Sequence, residues 1–329
     1  MDSVAAVVLV MDVAVDVDLA VVATGFFEWQ ATNVSINVTR ISLRVMGLTV
    51  EPLDATLGAR VTGVRLASLS DKEWAGIEDA FHEHAILVFP AQHLEGDEQK
   101  AFGRRFGVLE DIGGTAGLTP ISNQRADGSL LDREHPVSYI LRGNEGWHTD
   151  SSYMPVSAKA SMLSAHVLPS HGGTTEWADM RAAYDALPPS LLARIDGLAA
   201  HHSLEYSQSK VGQTQFSSKA YGFHGGPEPL RPLVKVHPIT GRPALYIGRH
   251  AHAIPGLTEQ ESVQLLDELL AFACQPPRLY EHQWTVGDVV VWDNRCVLHR
   301  ARPWDPTEAR VMKHTRIKGD PVTEAALAS

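Results

Sequence analysis

Three side chains set the chemical question: His148, Asp150 and His299. One residue separates His148 from Asp150, so on an extended strand the imidazole and the carboxylate project from one face. A second imidazole from elsewhere completes a set of two histidines and one carboxylate. That set fills three positions of Fe(II) and leaves three adjacent ones for a cosubstrate and dioxygen. The His-x-Asp pattern is weak alone in a chain with 16 histidines, because a solvated polar pair at a strand end reads the same way. His299 also needs partners, since it shares a face with Val297 and Ala301 and alone reads equally as a hydrogen-bonded core histidine. The segment from Arg310 to Ile317 sets Arg310, Met312, His314 and Arg316 on one side of a strand. Guanidinium groups on an inward face require a counter-ion. A planar fork suits the two oxygens of a carboxylate. The other reading of this segment is a surface strand whose polar face is wet.

The elements that must position these residues follow from pattern. A short strand is expected over residues 59–64. Ser70-Asp71-Lys72-Glu73 reads as a capping box that opens a helix to His84. A buried strand over residues 85–89 stops at Pro90, and a helix over 95–106 ends at Gly107. Residues 110–146 and 207–232 read as long polar loops, which in compact domains often carry function. A strand is expected to begin near Trp147, with another over 160–168. A helix over 180–187 closes at Pro188-Pro189, and residues 258–273 form an amphipathic helix. Strands over 288–292, 296–301 and 310–317 finish the chain. Strands joined by turns dominate, which favours a mainly β fold with flanking helices, an antiparallel double-sheet barrel, over a doubly wound sheet.

Residues 46–329 carry this order and read as one domain. Residues 1–45 are rich in Val, Ala and Asp and read as an extension, disordered or the artefact of an early start, since Met46 could initiate. The alternating stretch from Val13 to Leu19 offers an added edge strand as the other reading.

With 329 residues and 44% hydrophobic composition the chain can bury a full core. Its 28 basic and 39 acidic residues give a net charge of −11, which disfavours nucleic acid as a partner. Acidic residues interrupt the apolar N-terminal stretch at Asp12, Asp16 and Asp18, and the first basic residue is Arg40. Neither a membrane span nor a secretory leader is expected. Two cysteines without ligand or redox spacing fit a reducing compartment. The protein is therefore expected in the cytoplasm, as a homo-oligomer acting on a small anionic substrate.

Taken together, His148-x-Asp150, Gly172-Gly173-Thr174-Thr175, Trp292-Asp293-Asn294-Arg295, His299 and Arg310 resemble the taurine dioxygenase / 2,4-dichlorophenoxyacetate dioxygenase family in order and spacing. Three further stretches look like its herbicide-degrading branch, closest to the (S)-dichlorprop type of aryloxyalkanoate dioxygenase. They are the run from Trp177 to Leu187, the run from Arg231 to Pro238, and the run from Ile247 to Gly256. The resemblance spans residues 48–324. It implies a double-stranded β-helix, or jelly roll. It implies Fe(II) on His148, Asp150 and His299, with 2-oxoglutarate held by Arg310 and Thr175. It implies dioxygen as co-reactant and ascorbate as an aid in vitro. Decarboxylation of 2-oxoglutarate to succinate and carbon dioxide would drive hydroxylation of a substrate carbon. One departure stands out. Taurine dioxygenase has a substrate-binding arginine four residues after its 2-oxoglutarate arginine, and here that place is His314.

The leading reading is cleavage of an aryloxyalkanoate ether, an (S)-2-aryloxypropionate, to a phenol and a keto acid. His202, Tyr206, Lys210, Arg249, His252 and His314 are the candidates for the substrate carboxylate. One alternative is a related oxygenase for an alkyl sulfonate or sulfate. Others are a zinc hydrolase, since His and Asp also bind Zn(II), and a metal-free binding protein that uses the barrel as a pocket.

Overall fold

The apolar run ending in Trp292 is buried along its whole length, and the molecule is layered around it. The computed structural model describes residues 43–45, 47–214, 222, 224 and 226–327. Its main sheet holds β1 (Leu43–Val45), β2 (Leu48–Pro52), β3 (Ala59–Thr62), β4 (Ile86–Phe89), β5 (Thr119–Ser122), β6 (Ala158–Val167), β14 (Val289–Asp293) and β16 (Val311–Lys318). The order across it is β1-β2-β3-β4-β14-β6-β16-β5. The pairs are antiparallel except β3 with β4, which run parallel. A second sheet holds β7 (Thr175–Asp179), β13 (Leu279–His282) and β15 (Val297–Ala301), with β7 in the middle. A third holds β8 (Ala199–His202), β9 (Leu230–Pro232) and β12 (Ala251–His252), and β10 (Val234–Val236) pairs with β11 (Pro243–Leu245).

Period-two alternation along β14 divides the core. Val289 and Val291 face a cluster with Phe81, Phe89, Phe102 and Phe106 under α1 (Asp71–His84) and α2 (Gly96–Phe106). Val290 and Trp292 face the opposite cluster, with Trp177 of β7 and Leu298 of β15. The indole of Trp292 lies 5.7 Å from that of Trp177 and 4.7 Å from the His299 imidazole, so it couples the two sheets of a double-stranded β-helix and backs the candidate site.

The helices close where local chemistry directs. Ser70 and Glu73 cap α1 reciprocally, as the sequence predicts. Thr258 and Glu261 do the same for α7 (Glu259–Ala273), which buries Leu265, Leu266 and Leu269. The remaining helices are α3 (Pro136–Gly143), α4 (Met180–Asp185), α5 (Pro189–Ile195), α6 (Leu204–Ser209) and α8 (Pro321–Glu324).

Three expectations need correction. The stretch over 110–146 is not one loop, because it contains β5 and α3. β5 is a short edge strand interrupted by Pro120, and its pairing with β16 fixes it, not an apolar pattern. The stretch over 207–232 likewise takes in the end of α6 and all of β9. No strand begins near Trp147: His148 makes a single antiparallel bridge to His299, and Asp150 sits in a turn before Ser151, whose φ is +57°. At the N-terminal end, β1 pairs with β2, so the sheet starts ahead of residue 46. The stretch from Val13 to Leu19 lies outside the described residues.

Candidate metal and cosubstrate site

The two histidines are brought together by backbone. His148 N–H donates to the His299 carbonyl at 3.0 Å, and His299 N–H donates to the His148 carbonyl at 2.8 Å. Their ring centroids are 4.1 Å apart. Asp150 arrives by a different route, through Asn294 at the turn between β14 and β15. Asn294 Oδ1 accepts from Trp292 Nε1 at 3.0 Å and from Asp150 N–H at 3.3 Å. Its Nδ2 donates to Ser161 Oγ at 2.8 Å, and Ser161 Oγ donates to Asp150 Oδ2 at 2.7 Å. The result is a buried cluster of His148, Asp150 and His299 in which one ligand atom from each lies within 4.8 Å of the others.

The protonation states suit a cation. Burial pushes His148 down to about 4 and holds His299 well below the usual imidazole range, so both rings are neutral. The His148 Nδ1 to Gly146 carbonyl contact of 2.8 Å fixes that nitrogen as the donor and leaves the Nε2 lone pair for a metal. His299 Nδ1 is buried without a hydrogen-bond partner among the described residues. Burial alone would raise the Asp150 carboxyl, but Arg316, His314 and His299 outweigh it and hold it well below the usual carboxylate range. Two neutral imidazoles and one carboxylate form a donor set that fits Fe(II).

Arg310 enters the same cavity just ahead of β16. It is 2% exposed, which makes its environment decisive. Nε donates to the Gly173 carbonyl at 2.9 Å, and the backbone N–H donates to Asn123 Oδ1 at 2.8 Å. Gly173 turns that carbonyl inward with φ +66°, and a Cβ there would come within 3.1 Å of Arg310 Nε. Nη2 has no partner among the described residues, and burial lowers the guanidinium to about 10. A buried cation with an open donor and no carboxylate partner among the described residues is a built anion site. Thr175 lines the same cavity, and its Oγ accepts from Trp284 Nε1 at 3.0 Å. That leaves the hydroxyl proton to donate to the same anion. The cavity measures about 40 Å³, and Asn144, His314 and Arg316 complete its polar lining. A cavity of about 430 Å³ is lined by Asn123, Leu141 and Trp304 among others, but none of the clustered ligands lines it.

Of the six substrate-contact candidates, His314 lines this cavity, stacked on Trp292 with rings 5.9 Å apart. The structure does not bring the other five to it. Tyr206, Lys210 and His252 form a stack of their own, with the Tyr206 and His252 rings 4.3 Å apart and Lys210 Nζ 4.2 Å from the Tyr206 ring. His202 is buried on β8 against Tyr246. Arg249 accompanies His148 through its backbone N–H, which donates to the Trp147 carbonyl at 2.8 Å, but its guanidinium is anchored on α6 by Ser207 and Gln208. Ser161, Trp284 and Asn144 are site residues that pattern did not single out, and Asn294 was quoted within the Trp292-Asp293-Asn294-Arg295 motif without a role of its own. Each of the four makes a contact more than a hundred residues away in the chain.

A cluster that leaves half of a metal's positions open, beside a buried guanidinium with no carboxylate partner among the described residues, serves an oxidation that consumes a dicarboxylate cosubstrate. The fold and site together thus define a 2-oxoglutarate-dependent dioxygenase of the jelly-roll type. The comparisons agree: the chain belongs to the family described as "Taurine catabolism dioxygenase TauD, TfdA family", whose model matches residues 49–316. It is 57% identical over 285 residues to an (S)-phenoxypropionate/alpha-ketoglutarate-dioxygenase of Sphingobium herbicidovorans, covering 85% of this chain and 98% of the relative. It is 52% identical over 288 residues to the protein of the same description from Delftia acidovorans, again covering 85% and 98%. A crystal structure described as "AAD-2 in complex with Mn(II) and N-oxalylglycine" superposes with a TM-score of 0.79 at 36% identity, covering 86% of this chain and all of that one.

Proposed function

We propose that the protein cleaves an aryloxyalkanoate ether, in particular an (S)-2-aryloxypropionate. His148, Asp150 and His299 would hold Fe(II), and Arg310 with the Thr175 hydroxyl would take the distal carboxylate of 2-oxoglutarate. When bound, iron with its cosubstrate and dioxygen supplies the oxidising power, and the cosubstrate leaves as succinate and carbon dioxide. The observation that carries this reading is Arg310, buried in the cavity of the His-Asp-His cluster with Nη2 unpaired among the described residues. A zinc hydrolase or a metal-free binder gives that open donor no task.

The chain's own residues set the rest. Trp284 orients Thr175, Asn294 and Ser161 orient Asp150, and neutral His148 and His299 offer lone pairs. Insertion of one oxygen atom at the carbon bearing the ether oxygen gives a hemiketal, which collapses to a phenol and pyruvate. Among the six contact candidates we retain His314, a neutral imidazole. It offers hydrogen bonding without a fixed charge, which supports a carboxylate over a sulfonate. Two relatives above 50% identity named for (S)-phenoxypropionate support the substrate class and the enantiomer.

The test supplies both enantiomers of dichlorprop with Fe(II), ascorbate and 2-oxoglutarate and measures phenol and succinate. Phenol from the (S) form is expected. Reaction of the (R) form alone overturns the enantiomer assignment. Succinate driven by an alkyl sulfonate or sulfate, with no phenol from either enantiomer, overturns the substrate class.

The same reading assigns catalysis to residues 46–329. The matches to the relatives support it, since about 285 residues span 98% of each relative's length. A chain starting at Met46 lacks β1, the edge strand paired with β2, and is expected to keep wild-type turnover without it, whereas loss of turnover with folding retained would place part of residues 1–45 in catalysis. A cytoplasmic homo-oligomer without nucleic-acid or membrane partners is also part of this reading. The net charge of −11 and the free thiols Cys274 and Cys296 support it. No helix among the described residues is long and apolar enough to cross a membrane.

A further inference from the structure

The two oxygens of Asp150 have different company. Oδ2 faces the imidazoles, 3.7 Å from His299 Nε2 and 3.4 Å from His314 Nε2. It also accepts from Ser161 Oγ at 2.7 Å. Oδ1 points the other way, to Arg316 Nη2 at 2.7 Å. Arg316 and Ser161 stand directly opposite each other on β16 and β6, so one cross-strand pair holds the carboxylate at both oxygens. The guanidinium is itself steadied: Nη1 lies 3.4 Å from Ser151 Oγ and 3.3 Å from Tyr153 Oη, and Ser151 Oγ donates to Glu110 Oε2 at 2.9 Å.

This asymmetry has a chemical consequence. A carboxylate can bind a cation through one oxygen or through both. Through both, Asp150 would take a fourth position on the ion and leave two open. A 2-oxo acid that chelates through two atoms then excludes dioxygen. We propose that Arg316 is the positioning residue that keeps Asp150 a one-oxygen ligand by occupying Oδ1, and thereby reserves the third open position. The proposal rests on the reading of Asp150 as a metal ligand. It assigns Arg316, whose place on the inward face of the strand suggests a counter-ion but not which one, to the metal centre instead of to the substrate.

Co(II) provides the test, because its visible absorption reports coordination number without turnover. The wild-type protein, Arg316→Met and Arg316→Lys are titrated anaerobically with Co(II), with and without 2-oxoglutarate. Partners that orient a metal ligand typically contribute about 10- to 100-fold in metal affinity, so Arg316→Met is expected to bind Co(II) about 10- to 100-fold more weakly. Its absorption spectrum should also change. Arg316→Lys keeps one charged donor and should recover most of the affinity and the wild-type spectrum. Wild-type affinity and spectrum in folded Arg316→Met overturn the proposal. Should Arg316→Met fail to fold, Arg316→Gln replaces it with the same two outcomes. Failure of the metal reading looks different: the wild-type protein would not bind Co(II), or Asp150→Asn would bind it as tightly as wild type. Either result overturns both claims.

Discussion

Alanine at His148, Asp150 or His299 is expected to abolish turnover while the protein stays folded. Loss of a residue that only orients a metal ligand costs about 10- to 100-fold, so loss of a ligand itself should cost well over about 100-fold. The folding half of the expectation differs among the three. His148 and His299 are neutral rings, and their bridge is made by backbone, which alanine retains. His299 Nδ1 has no hydrogen-bond partner among the described residues to lose. Asp150 is the harder case, because its removal strips Arg316 of a partner in an ion pair whose side chains are 13% and 2% exposed. Breaking a buried pair costs about 3–5 kcal/mol, so Asp150→Asn, which keeps the shape and the contact with Ser161, is the matched variant. Turnover and circular dichroism check all four. Near-wild-type turnover in any one removes that residue from the metal site.

Arg310→Ala is expected to raise the KM for 2-oxoglutarate about 10- to 100-fold, the equivalent of a charge-assisted interaction of about 1.5–3 kcal/mol. Metal binding should not change, since Arg310 contacts Gly173 and Asn123 and none of the three clustered ligands. Arg310→Lys should recover part of the loss, because it keeps the charge but not the fork that matches two carboxylate oxygens. Steady-state kinetics with varied 2-oxoglutarate decide it. An unchanged KM would assign the cosubstrate carboxylate to another cation.

What was legible in the sequence divides along a physical line. The capping box at Ser70, the amphipathic pattern over 258–273 and the apolar run of β14 are local signals, and the structure follows them. His148 and Asp150 do meet, but for another reason than strand alternation. Asp150 sits in a turn, and Asn294, more than 140 positions away, brings it round. β5 could not be read because its sequence is polar and interrupted by proline, and its pairing with β16 alone makes it a strand. α3 did carry a signal, proline at its first turn after His135. The substrate candidates show the limit most plainly. Residue type made Tyr206, Lys210 and His252 plausible anion contacts, yet they stack on one another away from the cavity, and only distance could show it. Arg316 was visible on the inward face of its strand, but its partner could not be named without the fold.

The most direct test of the central claim is an anaerobic titration of the protein with Fe(II) and 2-oxoglutarate, followed by visible absorption. A charge-transfer band from 2-oxoglutarate chelated to Fe(II) should appear at one equivalent of each. It should be absent in His299→Ala, and in Arg310→Ala it should require more 2-oxoglutarate. No band in the wild-type protein, or a band that survives unchanged in His299→Ala, would contradict an iron site built from His148, Asp150 and His299.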